Sequence, residues 1–498
     1  MQDRLQGRSP YPMVDMNTAW ALVEEVARTI AARWQCSETH YVDWDHEAVQ
    51  SGTAVLAEDV AAPWPLPRFD AALKDGYAVR SADLVSDTTL CCTALQVAGQ
   101  ETWPLSVVME PGTCVYVTTG APLPPGADAV VPVEYVQILS SASSSKQGAL
   151  GPVPNRTEPF YIRLEGLTSI PAGYEVRRRG LDVPAGQVVL RRGQRLGPVE
   201  RSVLCSFGIQ ERIPIGRLPR VAVLSTGSEL VEACTPSSSV SSSAVYDSNR
   251  PLLRALLQRY VPASHILDAG IAADHQVSGK LKALLGDPLI DVLIISGGVS
   301  MGLSDVVKPL VADLGRIHFG RLLMKPGKPM TFASQAVDDD RPWMAFALPG
   351  NPVSSSVCFA LLVAPAIQLV SGVPRERAYP RRLVVRLAED AYPDAERPEF
   401  QRARLIEPLT MTESNTTAPV QATAGKRTAA AAAVAGLDTW PDAVNALAYF
   451  PLASTTGGQS STRLQSMVDA DVLVYLPAGK NPIPAGTLVH AFALEHSL

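Results

Sequence analysis

Several common chemistries are excluded by what this chain lacks. Its seven cysteines are scattered, with Cys91 and Cys92 adjacent and no C-x-x-C pair, which fits a reducing compartment and offers no structural zinc site. Its seven histidines show neither H-x-H nor H-E-x-x-H spacing, which removes the common zinc-enzyme arrangements. Charge is sparse at 18% of residues, with a net value of -6. That balance argues against a nucleic-acid binder or a membrane-surface protein, so an anionic ligand must be held by local lysines and arginines. The first residues carry no apolar h-region, and the most apolar segment is broken by Pro365, so neither a signal peptide nor a membrane span is predicted. Neither a Walker A lysine nor the Rossmann glycine spacing occurs in the glycine-rich loop described next.

What is present is 498 residues, 46% of them apolar, enough for two to four domains. The informative stretch is residues 290–354. Residues 291–295 (DVLII) form a short apolar run suited to a parallel strand covered on both faces. The loop SGGVSMG follows, with Ser304 as N-cap of a helix that carries Asp305. Strand, glycine loop and helix start present unpaired N–H groups to an anion, although one such loop alone reads first as a plain turn. The next segment, MKPGKPMT, holds Lys325 and Lys328 in a proline-bounded turn. Two ammonium groups so close are relieved by an oxyanion or a carboxylate, or simply by water. A second strand, turn and helix start then follows in LPGNPVS, with Gly350, Asn351 and Ser354 at its mouth.

The remaining chain divides by pattern. Residues 17–32 predict an amphipathic helix with Ala21, Leu22, Val26 and Ile30 on its apolar face. Asp75 sits in a DGYA turn, and Thr119 lies in TTGAPLPPGADAVVPVE; ordinary turn chemistry accounts for either one. Three consecutive arginines, Arg177 to Arg179, precede Gly180 and Asp182, as a solvated face or as phosphate partners. From residue 220 strands alternate with helices, and Asp274 follows one strand where an open parallel sheet places its ligand crevice. Serine-rich residues 237–243 and alanine-rich residues 418–434 are surface insertions. Short alternating strands after residue 374 predict a small β domain.

SGGVSMGxxD, MKPGKP and LPGNPVS, in this order and spacing, resemble the molybdopterin molybdenumtransferases (molybdenum insertases), the family of bacterial MoeA proteins and of plant and animal E domains. DGYA, DSNR, RPEFQR and GxQSSxRLxSM extend the resemblance over nearly the whole chain and bring it closest to the eukaryotic type. Ser228 stands where relatives usually carry an aspartate in STGDEL. The fold expected is α/β multidomain. It comprises a discontinuous N-terminal, dimer-forming subdomain (residues 13–65 and 185–218), an inserted β module (66–184), a doubly wound molybdopterin-binding α/β subdomain (219–374) and a C-terminal small β-barrel-like domain (375–498).

The resemblance implies an enzyme of molybdenum cofactor biosynthesis that inserts molybdate into adenylyl-molybdopterin and releases AMP. It implies Asp305 and Asp274 as catalytic residues and Mg²⁺ ligands. Molybdate falls to Lys325, Lys328, Pro329, Ser354, Arg397 and Ser461. The pterin and nucleotide fall to Gly297, Gly298, Ser300, Gly302, Asp75, Thr119, Asp182, Gly350 and Asn351. A cytoplasmic homodimer is expected, in transient contact with the adenylyltransferase and with molybdenum apoenzymes. Two alternatives stand beside it: the adenylyltransferase of the preceding step, and a non-catalytic scaffold E domain.

Overall fold

A computed structural model describes residues 11–35, 39–85, 88–99, 108–139, 159–165, 169–299, 307–335, 342–406 and 450–494. These fall into two compact units, one within Met1–Glu58, Arg192–Leu204 and Ile209–Leu498, the other within Asp59–Arg191 and Cys205–Gly208.

The larger unit is built on a six-stranded sheet in the order Ile266–Ala272, Val221–Thr226, Val292–Ser296, Met344–Leu348, Thr331–Ser334, Arg316–Phe319. The first four strands are parallel and the last two antiparallel. Val221–Thr226 and Val292–Ser296 are buried at every position, as two covered faces require. The chain leaves Val221–Thr226 toward one neighbour and returns on its other side at Val292–Ser296, so the strand order reverses there. In an open α/β sheet this reversal opens a crevice at the carboxyl ends of the strands. One face of the sheet packs Leu224, Leu293 and Ile295 against Val277, Leu281, Val307 and Val311 from the helices Val277–Gly286 and Val307–Leu314.

The helical run Pro352–Val370 is 94% buried, so although it is long and apolar enough to cross a membrane, it serves as a core helix. Pro365 does not break it. The turn Phe359–Val363 widens to π geometry just ahead of Pro365, which takes up the missing donor and the ring, and the helix resumes at Ala364–Val370. Against it lies Met16–Gln35, longer than the pattern predicted and turned about its axis. Its buried stripe is Ala19, Val23, Val26, Ala27, Ile30 and Trp34, while Ala21 faces solvent and Leu22 is only half-buried. Alanines on every side left the face to be chosen by Trp20, whose indole N–H donates to the Leu361 carbonyl (2.8 Å).

Five strands close the C-terminal barrel in the order Arg382–Leu387, Leu452–Thr455, Glu399–Ile406, Val472–Leu476, Leu488–Ala493. Val385, Ala403, Val472, Val474 and Ala491 fill it. Phe400 and Arg402 share the outer face opposite Ala403 and are nonetheless buried.

The smaller unit carries a second six-stranded sheet, ordered Ala129–Pro132, Gly76–Val79, Thr113–Val117, Thr89–Gln96, Phe160–Leu164, Val136–Leu139. Its two faces bury separate clusters, one around Tyr77, Leu90 and Ile162, the other around Ala78, Val115 and Val130. Gly76 opens a central strand paired on both sides, not the hairpin that its Asp-Gly sequence suggests. The alanine-rich insertion, residues 418–434, lies outside the described residues.

Candidate active site

Every parallel strand of the larger sheet ends in a loop at one cavity of about 1200 Å³. Thr226 runs into Gly227, Ser296 into Gly297 and Gly298, and Leu348 into Pro349, Gly350 and Asn351. Gly297 and Gly298 have φ of 91° and 65°, a region that side chains resist. A Cβ on Gly297 would stand 2.4 Å from the Thr226 carbonyl oxygen. These glycines are therefore required by the close approach of two strand ends.

Asn249 ties the loops together. Its amide nitrogen donates to the Ser296 hydroxyl (2.6 Å) and to the Gly350 carbonyl (2.7 Å). A carbonyl accepts only, so this contact fixes which way the amide points. The Asn249 oxygen is left buried, on the cavity wall, with no hydrogen-bond partner among the described residues. Beneath the glycine loop the buried Lys308 ammonium donates to the Val299 carbonyl (2.8 Å). Asp274 lines the far side of the crevice, its backbone N–H donating to the Ser228 hydroxyl (3.2 Å). Ser228 thus does turn work that an acceptor of either kind performs.

The opposite wall is cationic. The turn from Lys325 to Lys328 is sewn to the barrel, with Lys325 N–H donating to the Pro398 carbonyl (2.8 Å) and Phe400 N–H to the Lys325 carbonyl (2.7 Å). Gly327, at φ 115°, lies where a Cβ would meet the Cys358 sulfur at 2.6 Å. The Lys325 ammonium stands 3.3 Å from Glu399 and 3.6 Å from Asp394. Lys328 is exposed on the cavity wall and has no acidic partner among the described residues. Arg397 donates to the second oxygen of Asp394 (3.1 Å). The first oxygen of Asp394 accepts from the backbone N–H groups of Glu396 and Arg397, both at 3.1 Å. Burial pushes the Asp394 carboxyl upward, but these bonds and the Arg397 charge outweigh it and hold the group below the usual carboxylate range.

Ser461 enters from the barrel side. Its hydroxyl accepts from the Asn351 amide (2.9 Å) and its carbonyl from the Val353 N–H (3.2 Å), which places it beside Ser354 at the start of the core helix. Behind this segment lies the fully buried Arg402, donating to the Ser460 carbonyl (3.2 Å) and the Ser466 hydroxyl (3.1 Å). Desolvation pulls its guanidinium down to about 10, with Glu399 offsetting part of the effect.

Of the residues singled out by sequence, Gly297, Gly298, Asp274, Lys325, Lys328, Pro329, Gly350, Asn351, Ser354, Arg397 and Ser461 line this cavity. Ser300, Gly302 and Asp305 lie outside the described residues. Asp75, Thr119 and Asp182 belong to the smaller unit. There Asp75 accepts from the Thr119 backbone N–H (2.6 Å) and hydroxyl (2.8 Å), and Asp182 is paired with Arg177. Arg178 and the Arg179 N–H are both engaged by Asp70. Asn249, Asp394 and Arg402 were missed. The D-x-x-R spacing of Asp394 and Arg397 carried a signal for an Asx turn, and the DSNR motif held Asn249 in plain view as a helix cap. Asp247, two residues earlier, accepts from the Arg250 N–H at 3.1 Å at the start of the same helix.

Sheet and cavity together define a multidomain α/β protein with a glycine-floored, cationic crevice at the switch point of its parallel strands. Residues 16–208 match the MoeA N-terminal region (domain I and II), residues 222–369 the probable molybdopterin binding domain, and residues 450–494 the MoeA C-terminal region (domain IV). A molybdopterin molybdenumtransferase of Haemophilus influenzae is 33% identical over 68% of this chain and 74% of its own length. The molybdenum cofactor synthesis protein cinnamon of Drosophila melanogaster is 34% identical over 88% of this chain and 62% of its own. The gephyrin of Dictyostelium discoideum is 29% identical over 90% of this chain, which spans 59% of that relative. A molybdopterin biosynthesis moeA protein from Pyrococcus horikoshii shares the fold, with a TM-score of 0.66 at 20% identity over 97% of this chain and all of that one. The chain belongs to the molybdopterin molybdenumtransferase family, whose relatives act in molybdenum cofactor biosynthesis.

Proposed function

We propose that this chain performs the last step of that biosynthesis, inserting molybdate into adenylyl-molybdopterin with release of AMP. The observation that carries the reading is convergence. Lys325, Lys328, Ser354, Arg397 and Ser461 come from four separated stretches of sequence and line one cavity beside three glycine-bounded strand ends. Molybdate is a tetrahedral dianion, and two ammonium groups, a guanidinium and two hydroxyls match its charge and acceptors. The backbone N–H groups of Gly298 and Gly350 suit phosphate groups of the pterin and the nucleotide, while the Gly297 N–H is spent on the Leu348 carbonyl (3.1 Å) and Gly297 serves by its missing side chain. Holding both substrates across one crevice supplies the proximity that the transfer needs.

Among the described residues no three acidic, histidine or cysteine side chains converge as a metal cluster. Mg²⁺ retains several waters and needs only one or two carboxylates beside substrate phosphates. The Asp274 carboxylate lines the cavity without a hydrogen-bond partner among the described residues, so its donor chemistry fits that ion. Mg²⁺ would neutralise the pyrophosphate link, with Asp274 and Asp305 as its protein ligands. The four-part domain division, a cytoplasmic homodimer and transient delivery from the adenylyltransferase to apoenzymes complete the proposal.

Reconstitution tests it. Purified protein with adenylyl-molybdopterin, Mg²⁺ and molybdate is expected to release AMP and to activate a molybdenum-free apoenzyme, with both signals lost in Lys325→Ala and Lys328→Ala. ATP consumption with molybdopterin in the absence of molybdate would assign the preceding step instead. Tight nucleotide-pterin binding with no AMP release would leave a scaffold.

A further inference from the structure

We propose that Asp394 is a resident competitor at the oxyanion site, a carboxylate that occupies Lys325 and Arg397 between turnovers and limits how tightly a tetrahedral dianion binds. The inference rests on the reading of the cationic wall as the molybdate site. One oxygen of Asp394 anchors its own turn through the Glu396 and Arg397 N–H groups, and the other is 3.1 Å from the Arg397 guanidinium and 3.6 Å from the Lys325 ammonium. The Asp394 side chain is 19% exposed, whereas Glu399, the second partner of Lys325, is 2% exposed and cannot leave without stranding a buried charge. Lys328 has neither carboxylate.

Charge arithmetic gives the consequence. Three cations (Lys325, Lys328, Arg397) less two carboxylates (Asp394, Glu399) leave the wall at +1, and removing Asp394 raises it to +2, the complement of a dianion. An oxyanion that reaches Lys325 and Arg397 must share them with Asp394 or displace it. The carboxylate therefore keeps molybdate loosely held, in a form that can be handed on to the pterin.

Asp394→Asn tests the idea with little structural change, because the retained oxygen still accepts the two turn N–H groups. Titration of wild type and variant with molybdate, tungstate and the tetrahedral monoanion perrhenate reads the effect. A unit negative charge about 6 Å from the ligand weakens a dianion about tenfold and a monoanion about threefold even at the dielectric of water. The variant should bind molybdate and tungstate about tenfold tighter and perrhenate about threefold tighter, and the gains should shrink as salt is added. Asp394→Ser, which keeps an acceptor for the turn, should gain in the same order. Unchanged or weaker dianion binding in a variant that melts like wild type, or equal gains for dianion and monoanion, overturns the competitor role and makes Asp394 a support for Arg397. A protein in which wild type, Asp394→Asn and Lys328→Ala are all indifferent to molybdate overturns the site assignment itself.

Discussion

Exchanging Asn249 for aspartate keeps the shape of the side chain and reverses one atom's chemistry. The amide nitrogen now donates to Ser296 at 2.6 Å and Gly350 at 2.7 Å. An aspartate puts a carboxylate oxygen in its place. Ser296 can turn its hydroxyl proton toward that oxygen, but the Gly350 carbonyl cannot, and two acceptors are left face to face. A lost hydrogen bond together with two acceptors left face to face at a part-buried contact costs about 2–4 kcal/mol, and burying a carboxylate adds a desolvation penalty. That penalty raises the new carboxyl's folded pKa above its unfolded value of about 3.9. A raised acid pKa removes stability as pH climbs above the unfolded value, so the deficit is greatest at neutral pH and shrinks on acidification, when the protonated oxygen donates to Gly350. Melting near pH 7.5 should fall by roughly 4 to 16 °C for a cooperative unit of about 150–250 residues, and the gap should narrow near pH 5.5. Equal melting near neutral pH, or a gap that widens in acid, would refute the assigned orientation of the amide and with it the unpartnered acceptor buried in the cavity wall.

Three other substitutions follow from the same geometry. Gly297→Ala forces a side chain into the left-handed region, at about 1–2 kcal/mol, and drives its Cβ to 2.4 Å from the Thr226 carbonyl, so chemical denaturation should show a loss of about 2–4 kcal/mol. Gly350→Ala is the control: its Cβ would meet only the Gly297 Cα, at 3.7 Å, and stability should change by less than about 1 kcal/mol. Arg402→Met removes a buried charge as well as two hydrogen bonds, so the net stability change should stay within about 2 kcal/mol. Amide exchange across residues 459–466 should nevertheless rise, and molybdate should bind more weakly, because Ser461 loses its backing.

Legibility in the sequence followed the range over which each feature is encoded. The glycine mouths could be read because the constraint is local: a positive φ or a missing Cβ is written at the position that needs it, as at Gly297 and Gly327. The proline-bounded lysine turn was legible for the same reason. Arg402 was not, since it sits at an outward position of Glu399–Ile406 and reads as a solvated strand residue. Its cover is supplied by Gln459 and Ser460, more than fifty residues away. Asn249 reads as the start of a helix, and only the fold brings the Gly350 carbonyl to it from 101 residues along the chain. Pro365 was misread as an interruption because a widened turn leaves no mark in the residue pattern.

The pairing of Lys325 with the strand Glu399–Ile406 has a mechanical consequence. Its N–H and carbonyl are held by Pro398 and Phe400 while its ammonium faces the cavity. One residue is thus both a rivet between barrel and sheet and the mount for a charged side chain. Any rocking of the barrel against the sheet must drag that ammonium with it, so a force or a partner that tilts the barrel would be felt at the anion site as a displaced charge.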